Sequence, residues 1–100
     1  MNGVLTVRAG IDAAGVVMVL GRAAWALVEL VHSGTSGCSY IDKPAPRWSA
    51  YVYELRKLGI AVETIRESHG GPFPGSHARY VLRSRVTILE MTGDLGGDAA

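Results

Sequence analysis

A stretch rich in glycine and proline most constrains the fold of this chain, because it separates two segments of strand-like composition. Residues 68–80 read SHGGPFPGSHARY and contain five Gly or Pro residues and two histidines. Glycine accepts positive φ angles and proline fixes φ, so the run suits the tip of a hairpin. The sequence therefore predicts two antiparallel strands joined by a long tip within residues 68–79.

Two helices are predicted before this hairpin. From Arg22 to Ser33 the apolar residues recur at helical spacing, and Gly34 supplies a stop. A second helix is predicted at about residues 46–58, beginning at Pro46, with a core face of Trp48, Val52 and Leu55 and a stop at Gly59. The intervening TSGCSYIDKPAP contains two prolines, which favour a turn or a short extended segment over another full helix.

The remaining segments read as strands. Residues 1–20 predict an opening hairpin, residues 60–68 a strand, and residues 79–89 one further strand with an apolar face and an arginine stripe of Arg79, Arg83 and Arg85. This order predicts an α+β winged helix-turn-helix, with two main helices, a short or irregular middle element and a C-terminal hairpin wing. We expect one domain over residues 1–90, with helix-turn-helix and wing at 21–89, and a flexible tail at 91–100.

Charge is distributed unevenly along the chain. The net charge is only +1, but Tyr40 to Val86 holds eight basic and four acidic residues. A polarised basic surface and a scatter of solvated charges both fit these counts. The lone Cys38 fits a reducing cytoplasm, and neither a signal peptide nor a membrane span is expected, since Arg22 and Glu29 interrupt the longest apolar region.

The run PRWSAYVYELRKLGIAVETI, followed by GGPFPGSHARYVLRS, resembles winged-helix domain proteins encoded in bacterial phages, prophages and mobile elements, particularly of alphaproteobacteria. The similarity extends from Gly21 to roughly Leu89. Six residues match the helix that this family places in the DNA major groove: Arg47, Ser49, Val52, Leu55, Arg56 and Gly59. Residues 69–79 match the hairpin of the family. The resemblance implies a small cytoplasmic, nucleoid-associated DNA-binding regulator of transcription or recombination.

Ten residues are candidates for contact with double-stranded DNA. The helix would read bases in the major groove, and the wing would contact the backbone or the minor groove. These candidates are Arg47, Ser49, Ala50, Tyr53, Lys57, His69, Ser76, His77, Arg79 and Arg83. The alternative interpretation is that these residues do not contact DNA. The helix face would then only be solvated, and the arginines would pair with Glu63 and Glu67 across the hairpin.

Other functional classes are less well supported by the residues. His69 and His77, even with Cys38 or His32, lack the spacing of a metal site, so neither metal nor cofactor is expected. Phe73 at the tip could enter a minor groove or pack on the sheet. The sequence shows no recognisable grouping of a nucleophile with a general base, so an enzyme is not expected. The alternative function is a protein-interaction adaptor without DNA binding, with a homodimer or a host regulatory protein as partner.

Overall fold

The computed structural model describes residues 4–12, 15–45, 47–72 and 74–93. It has the mixed α+β order that the sequence predicts, with a short 3-10 turn at Gly34–Ser36 after the first helix. The other elements are β1 (Thr6–Ile11), β2 (Gly15–Leu20), α1 (Gly21–Ser33), β3 (Cys38–Ser39), α2 (Trp48–Lys57), β4 (Val62–His69), β5 (Gly75–Leu82) and β6 (Val86–Thr92). The irregular segment between the helices is thus confirmed.

The predicted opening hairpin forms part of a three-stranded antiparallel sheet. Its strand order is β2-β1-β6, so β1 is the central strand. Alternate side chains of β1 point inward, and Val7, Ala9 and Ile11 are buried against the helices. A register shift between Arg8 and Ala9 places a bulge where β1 meets β6.

The wing belongs to a second sheet of order β3-β5-β4. The pairing of β4 with β5 continues to His69 opposite Gly75, so five residues of the sequence separate the two strands. The tip predicted within the wing is therefore shorter than expected, because His69 and the residues from Gly75 onward continue the ladder. Phe73 lies outside the described residues.

The prediction of one strand over residues 79–89 is wrong. The chain turns at Arg83–Arg85, and its two halves join different sheets: Leu82 pairs with Val62, whereas Val86 pairs with Ile11. Ala61 fixes this turn, since its carbonyl accepts bonds from the amides of Arg83 (2.8 Å) and Ser84 (3.3 Å). The three arginines consequently do not form a single stripe.

Both helices pack into one core with the two sheets. Trp48 lies at the centre, stacked on Tyr80 at 5.9 Å between ring centroids and tilted against Trp25 at 5.4 Å. Its indole Nε1 donates to the carbonyl of Lys43 at 2.8 Å, so the polar edge of a buried ring is satisfied. Because the ring bridges both helices and β5, it fixes how α2 lies relative to the wing.

Some predicted boundaries move. Helix α2 begins at Trp48 rather than at Pro46, and Pro46 lies outside the described residues. Strand β6 continues through Thr92, two residues into the segment predicted as a tail, because Met91 and Thr92 still pair with β1. Residues 94–100 lie outside the described part. Within the described ranges, no helix is long and apolar enough to cross a membrane.

Candidate functional site

Helix α2 turns a polar face away from the core. Its apolar residues Trp48, Val52 and Leu55 are buried, and the intervening Ser49 and Tyr53 are exposed, Tyr53 to 62%. Arg56 joins this face to the wing, because its guanidinium donates to the carbonyl of Val62 (2.6 Å from Nη2) and to Thr64 Oγ1 (3.0 Å). The last turn of α2 is thereby fixed against the start of β4.

One face of the wing continues the polar face of α2. Alternate residues of a strand share a face, so Thr64, Arg66 and Ser68 lie on the side that Arg56 contacts. On β5 the cross-strand neighbour of Ser68 is Ser76. Arg66 is exposed and lies two residues, about 7 Å, beyond Thr64 toward the tip. We call this set the α2–wing surface: Ser49, Tyr53, Arg56, Arg66, Ser68 and Ser76.

The opposite face of the wing carries a continuous chain of hydrogen bonds. His69 Nδ1 and His77 Nδ1 lie 3.0 Å apart, and His77 Nε2 lies 3.0 Å from Glu67 Oε1. Arg79 Nε donates to Glu67 Oε2 at 2.7 Å, and its Nη1 donates to Asp42 Oδ2 at 2.6 Å. His77 is buried, with 7% of its surface exposed. The network therefore holds the wing to the segment that contains Asp42 and does not present His77 to solvent.

Arg79 also sets the ionisation of its two carboxylate partners. Its hydrogen bonds lower the pKa of Asp42 and of Glu67 below their ordinary values. The same side chain donates to the carbonyls of Ser36 (3.2 Å) and Gly37 (3.5 Å). Its Nε and Nη1 nitrogens are therefore both engaged within the protein.

Several cations predicted to contact DNA are consequently neutralised. Arg83 pairs with Glu63 at 2.6 Å across the hairpin, and Lys57 pairs with Glu54 at 3.4 Å. The cross-strand alternative thus holds for Arg83, and Arg79 pairs with Glu67 in the same way. Within the described residues the cations that form no salt bridge are Arg22, Arg47, Arg56, Arg66 and Arg85.

The structure separates the ten predicted residues into three groups. Ser49, Tyr53 and Ser76 lie on the α2–wing surface. His69, His77, Arg79 and Arg83 lie on the other side of the wing, where local carboxylates and rings bond to their polar groups, and their contact with DNA stays a prediction. The rest, Arg47, Ala50 and Lys57, line a groove between α2 and β2.

This groove measures about 620 Å³ and is open to solvent. On the β2 side Met18, Val19 and Leu20 line it, together with Arg22 at the start of α1. On the α2 side Glu54 and Leu58 complete the wall. The flank of α2 that begins at Arg47 therefore faces the N-terminal sheet, while the flank that includes Ser49 faces the wing.

Sequence reasoning did not assign Arg66 and Ser68 to the site. A signal was present, since Thr64, Arg66 and Ser68 alternate with Ile65 and Glu67 in the strand that follows Gly59. That alternation identifies residues on one face, but not which face lies toward α2. Only the contacts of Arg56 and Trp48 settle the side.

Comparison with known families gives one match, to the model described as "Winged helix domain", over residues 16–92. No curated protein and no solved structure is significantly similar to the chain. The matched region includes α1, α2, β3 and the complete β4–β5 wing, and it omits β1. The match covers more than half of the sequence and agrees with the observed order of elements, so the chain belongs to the winged-helix domain family.

Proposed function

We propose that this protein binds duplex DNA through the α2–wing surface. The observation that carries the proposal is that exposed Arg66, which forms no salt bridge, lies on the same side of the wing as Arg56, whose guanidinium joins α2 to β4, and that Tyr53 is exposed on α2. Winged-helix domains commonly bind DNA. The proposed role is binding rather than catalysis.

The chemistry of this face suits phosphate and base contact at adjacent places. Ser49 and Tyr53 present hydroxyl groups from the helix, which in this arrangement would enter the major groove. Arg66 with Ser68 and Ser76 would contact the backbone, since arginine and serine are common donors to phosphate oxygen. Arg47 precedes the first turn of α2 and would add a base or phosphate contact at that end.

The biological setting is proposed on the resemblance alone. A chain of this size with one recognition helix is suited to transcriptional or recombination control in a phage or mobile element, acting in the cytoplasm at the nucleoid. A single helix in one groove covers few base pairs, so a specific site would require a homodimer or tandem binding.

The proposal predicts binding that depends steeply on salt. A labelled mixed-sequence duplex titrated by fluorescence anisotropy should give a log-log salt slope of about −4 if four to five phosphates are contacted. Arg66→Ala should reduce the slope by about 1 and weaken all duplexes alike, because the residue is assigned to phosphate. Arg47→Ala should instead relax preference between sequences.

Arg83→Ala is the matched control, because Arg83 is an exposed wing arginine already paired with Glu63 on the opposite face. It should leave DNA affinity within about twofold of wild type. An equal loss for Arg83→Ala and Arg66→Ala would show that the wrong face has been assigned. No binding at low salt would reject the DNA function and favour the adaptor alternative.

A further inference from the structure

The groove beside α2 has a free strand edge as one wall. Among the residues that the structure describes, strand β2 pairs only with β1, so its second edge has no neighbour there. The amide of Gly21 donates to the carbonyl of Leu5 at 2.8 Å, in register with the pairing of Thr6 with Leu20. Because hydrogen-bonded pairs alternate along an antiparallel ladder, the backbone N–H and C=O groups of Val16 and Met18 point away from β1.

This edge has none of the features that usually prevent strand addition. Gly15–Leu20 contains no charged residue and no proline, whereas solvent-exposed edges are commonly protected by lysine, proline or bulges. The side chains beside it are apolar and exposed. Six of the ten exposed large hydrophobic residues in the described ranges belong to this sheet or adjoin it: Val4, Val16, Met18, Leu20, Leu89 and Met91.

The rim of the groove is basic. Arg22 and Arg47 both line it, and neither has a carboxylate partner among the described residues. The Arg22 guanidinium instead lies 5.7 Å from the centroid of the Trp25 ring. Lys57 is partly balanced by Glu54, which is the one acidic residue in the lining. The groove therefore combines a backbone edge, an apolar wall and two guanidinium groups free to pair with carboxylates.

We propose that an extended segment of a partner protein, carrying acidic residues that alternate with aliphatic ones, binds in this groove as a fourth strand on β2. Its backbone would bond to Val16 and Met18, and its aliphatic side chains would pack toward Met18 and Leu20. Its carboxylates would pair with Arg22 and Arg47. A volume of about 620 Å³ lies within the ordinary range of ligand sites, roughly 300–1,000 Å³.

Charge decides between this occupant and a second copy of the chain. Pairing β2 with its own symmetry mate would bring an uncharged strand into the groove and leave Arg22 and Arg47 unpaired. An acidic strand satisfies both guanidinium groups and the free backbone edge at once. Arg47 is shared with the proposed DNA contact, but β2 and Arg22 lie outside the α2–wing surface, so the inference does not depend on DNA binding.

The test uses a fluorescein-labelled peptide of about six residues that alternates valine with glutamate, and a matched peptide with lysine in place of glutamate. We expect the acidic peptide to bind the full chain and the basic peptide to bind at least about tenfold more weakly. Amide chemical shifts should change at Val16 and Met18 and not at Arg66. Equal binding of both peptides, or shifts confined to the wing, would overturn the proposal.

Two variants separate the backbone contribution from the charge contribution. Met18→Pro removes an outward-pointing N–H and should abolish peptide binding, whereas Met18→Thr keeps that N–H and should retain most of it. Arg22→Glu should weaken the acidic peptide about tenfold and strengthen the basic one. This reversal can be measured even if Met18→Pro does not fold. If Arg22→Glu does not reverse the preference, the carboxylates of the bound segment do not pair with Arg22, and the proposal is wrong.

Self-association provides a further decisive outcome. Sedimentation of the wild-type chain should show a monomer at the concentrations used for peptide binding. In a two-fold pairing centred on Met18, a Met18→Cys variant would form an intermolecular disulfide readily, since Cys38 is buried. Rapid cross-linking of this variant, together with a dimer in sedimentation, would assign the edge to a second copy and overturn the peptide proposal.

Discussion

Arg79 connects the wing to the turn that precedes α2. Its guanidinium bonds to Glu67 within the wing, to Asp42 in the turn and to two backbone carbonyls after α1. A side chain so placed restrains the angle between the wing and α2. Its contribution to DNA affinity is therefore expected to be indirect.

Replacement of Arg79 by alanine should destabilise the fold, because the carboxylates of Glu67 and Asp42 both lose the hydrogen bond that Arg79 donates to them. We expect the melting temperature to fall by about 5 °C or more, measured by circular dichroism. Arg83→Ala breaks a pair whose two side chains are about half exposed, and should change the melting temperature by less than about 2 °C. Similar shifts for both variants would contradict the structural role given to Arg79.

The effect of Arg79→Ala should also depend on pH. In the unfolded state the pKa values of Asp42 and Glu67 are the ordinary 3.8 and 4.5, and in the folded state both are lower. The ionised carboxylates therefore stabilise the folded state relative to the unfolded state. This stabilisation is complete above those values and is lost as pH falls through the lowered folded-state pKa values. The difference in melting temperature between wild type and variant should therefore be largest above about pH 5 and shrink below about pH 4. A constant difference would exclude this linkage.

At the scale of elements, the connection from α1 to β3 depends on Gly37. This residue has φ = +72°, and a Cβ built there would lie 2.5 Å from the carbonyl oxygen of Tyr80 and 2.8 Å from Val81 Cγ2. Positive φ is strained for other residues, and the close approach of β5 backbone adds a clash that cannot be relieved by a side-chain rotation. The short β3 strand can pair with β5 only because this position has no side chain.

Gly37→Ala should accordingly lower the free energy of unfolding by about 3 kcal/mol or more. Gly34→Ala is the matched control, since Gly34 also has positive φ (+55°) but a Cβ there meets nothing within 4 Å. It should cost about 1–2 kcal/mol from backbone strain alone. Chemical denaturation of both variants measures the difference, and equal losses would show that packing against β5 does not matter.

The elements predictable from the sequence are those fixed by local pattern. Helical spacing with a glycine stop located α1 and α2, and the Gly/Pro run located the wing hairpin. The extent of the tip and the break at Arg83–Arg85 were not predictable, because they depend on which distant strand pairs with each half. A period of two continues unchanged through residues 79–89, although Leu82 and Val86 join different sheets.

The same distinction holds for the candidate site. Spacing along α2 correctly identifies Trp48, Val52 and Leu55 as the buried face of the helix, because apolar residues recur there at helical intervals. The state of Arg79 and Arg83 depends on cross-strand register with Glu67 and Glu63, and that register follows from the length of the tip. An arginine that is free and one that is paired look alike in sequence, so charge counts alone overstate the basic surface of the wing.

At the scale of the whole molecule, both sheets and both helices enclose a single apolar core. Val7, on the central strand of the N-terminal sheet, is fully buried (0% exposed) and belongs to the same cluster as Leu27 of α1 and Tyr80 of the wing sheet. Strand β1 lies outside the matched family region, yet it holds β2 and β6 together. The N-terminal sheet is therefore expected to unfold together with the winged-helix elements.

Val7→Ala tests this cooperativity, because tryptophan fluorescence reports on Trp25 and Trp48 in the helical part of the core. Loss of two methyl groups from a closely packed site should lower the free energy of unfolding by about 2 kcal/mol, and the fluorescence transition should shift by that amount. Val16→Ala, at an exposed position on the neighbouring strand, should shift it by less than about 0.5 kcal/mol. An unshifted fluorescence transition in Val7→Ala, with circular dichroism showing separate loss of strand, would mean that the N-terminal sheet unfolds as an independent unit.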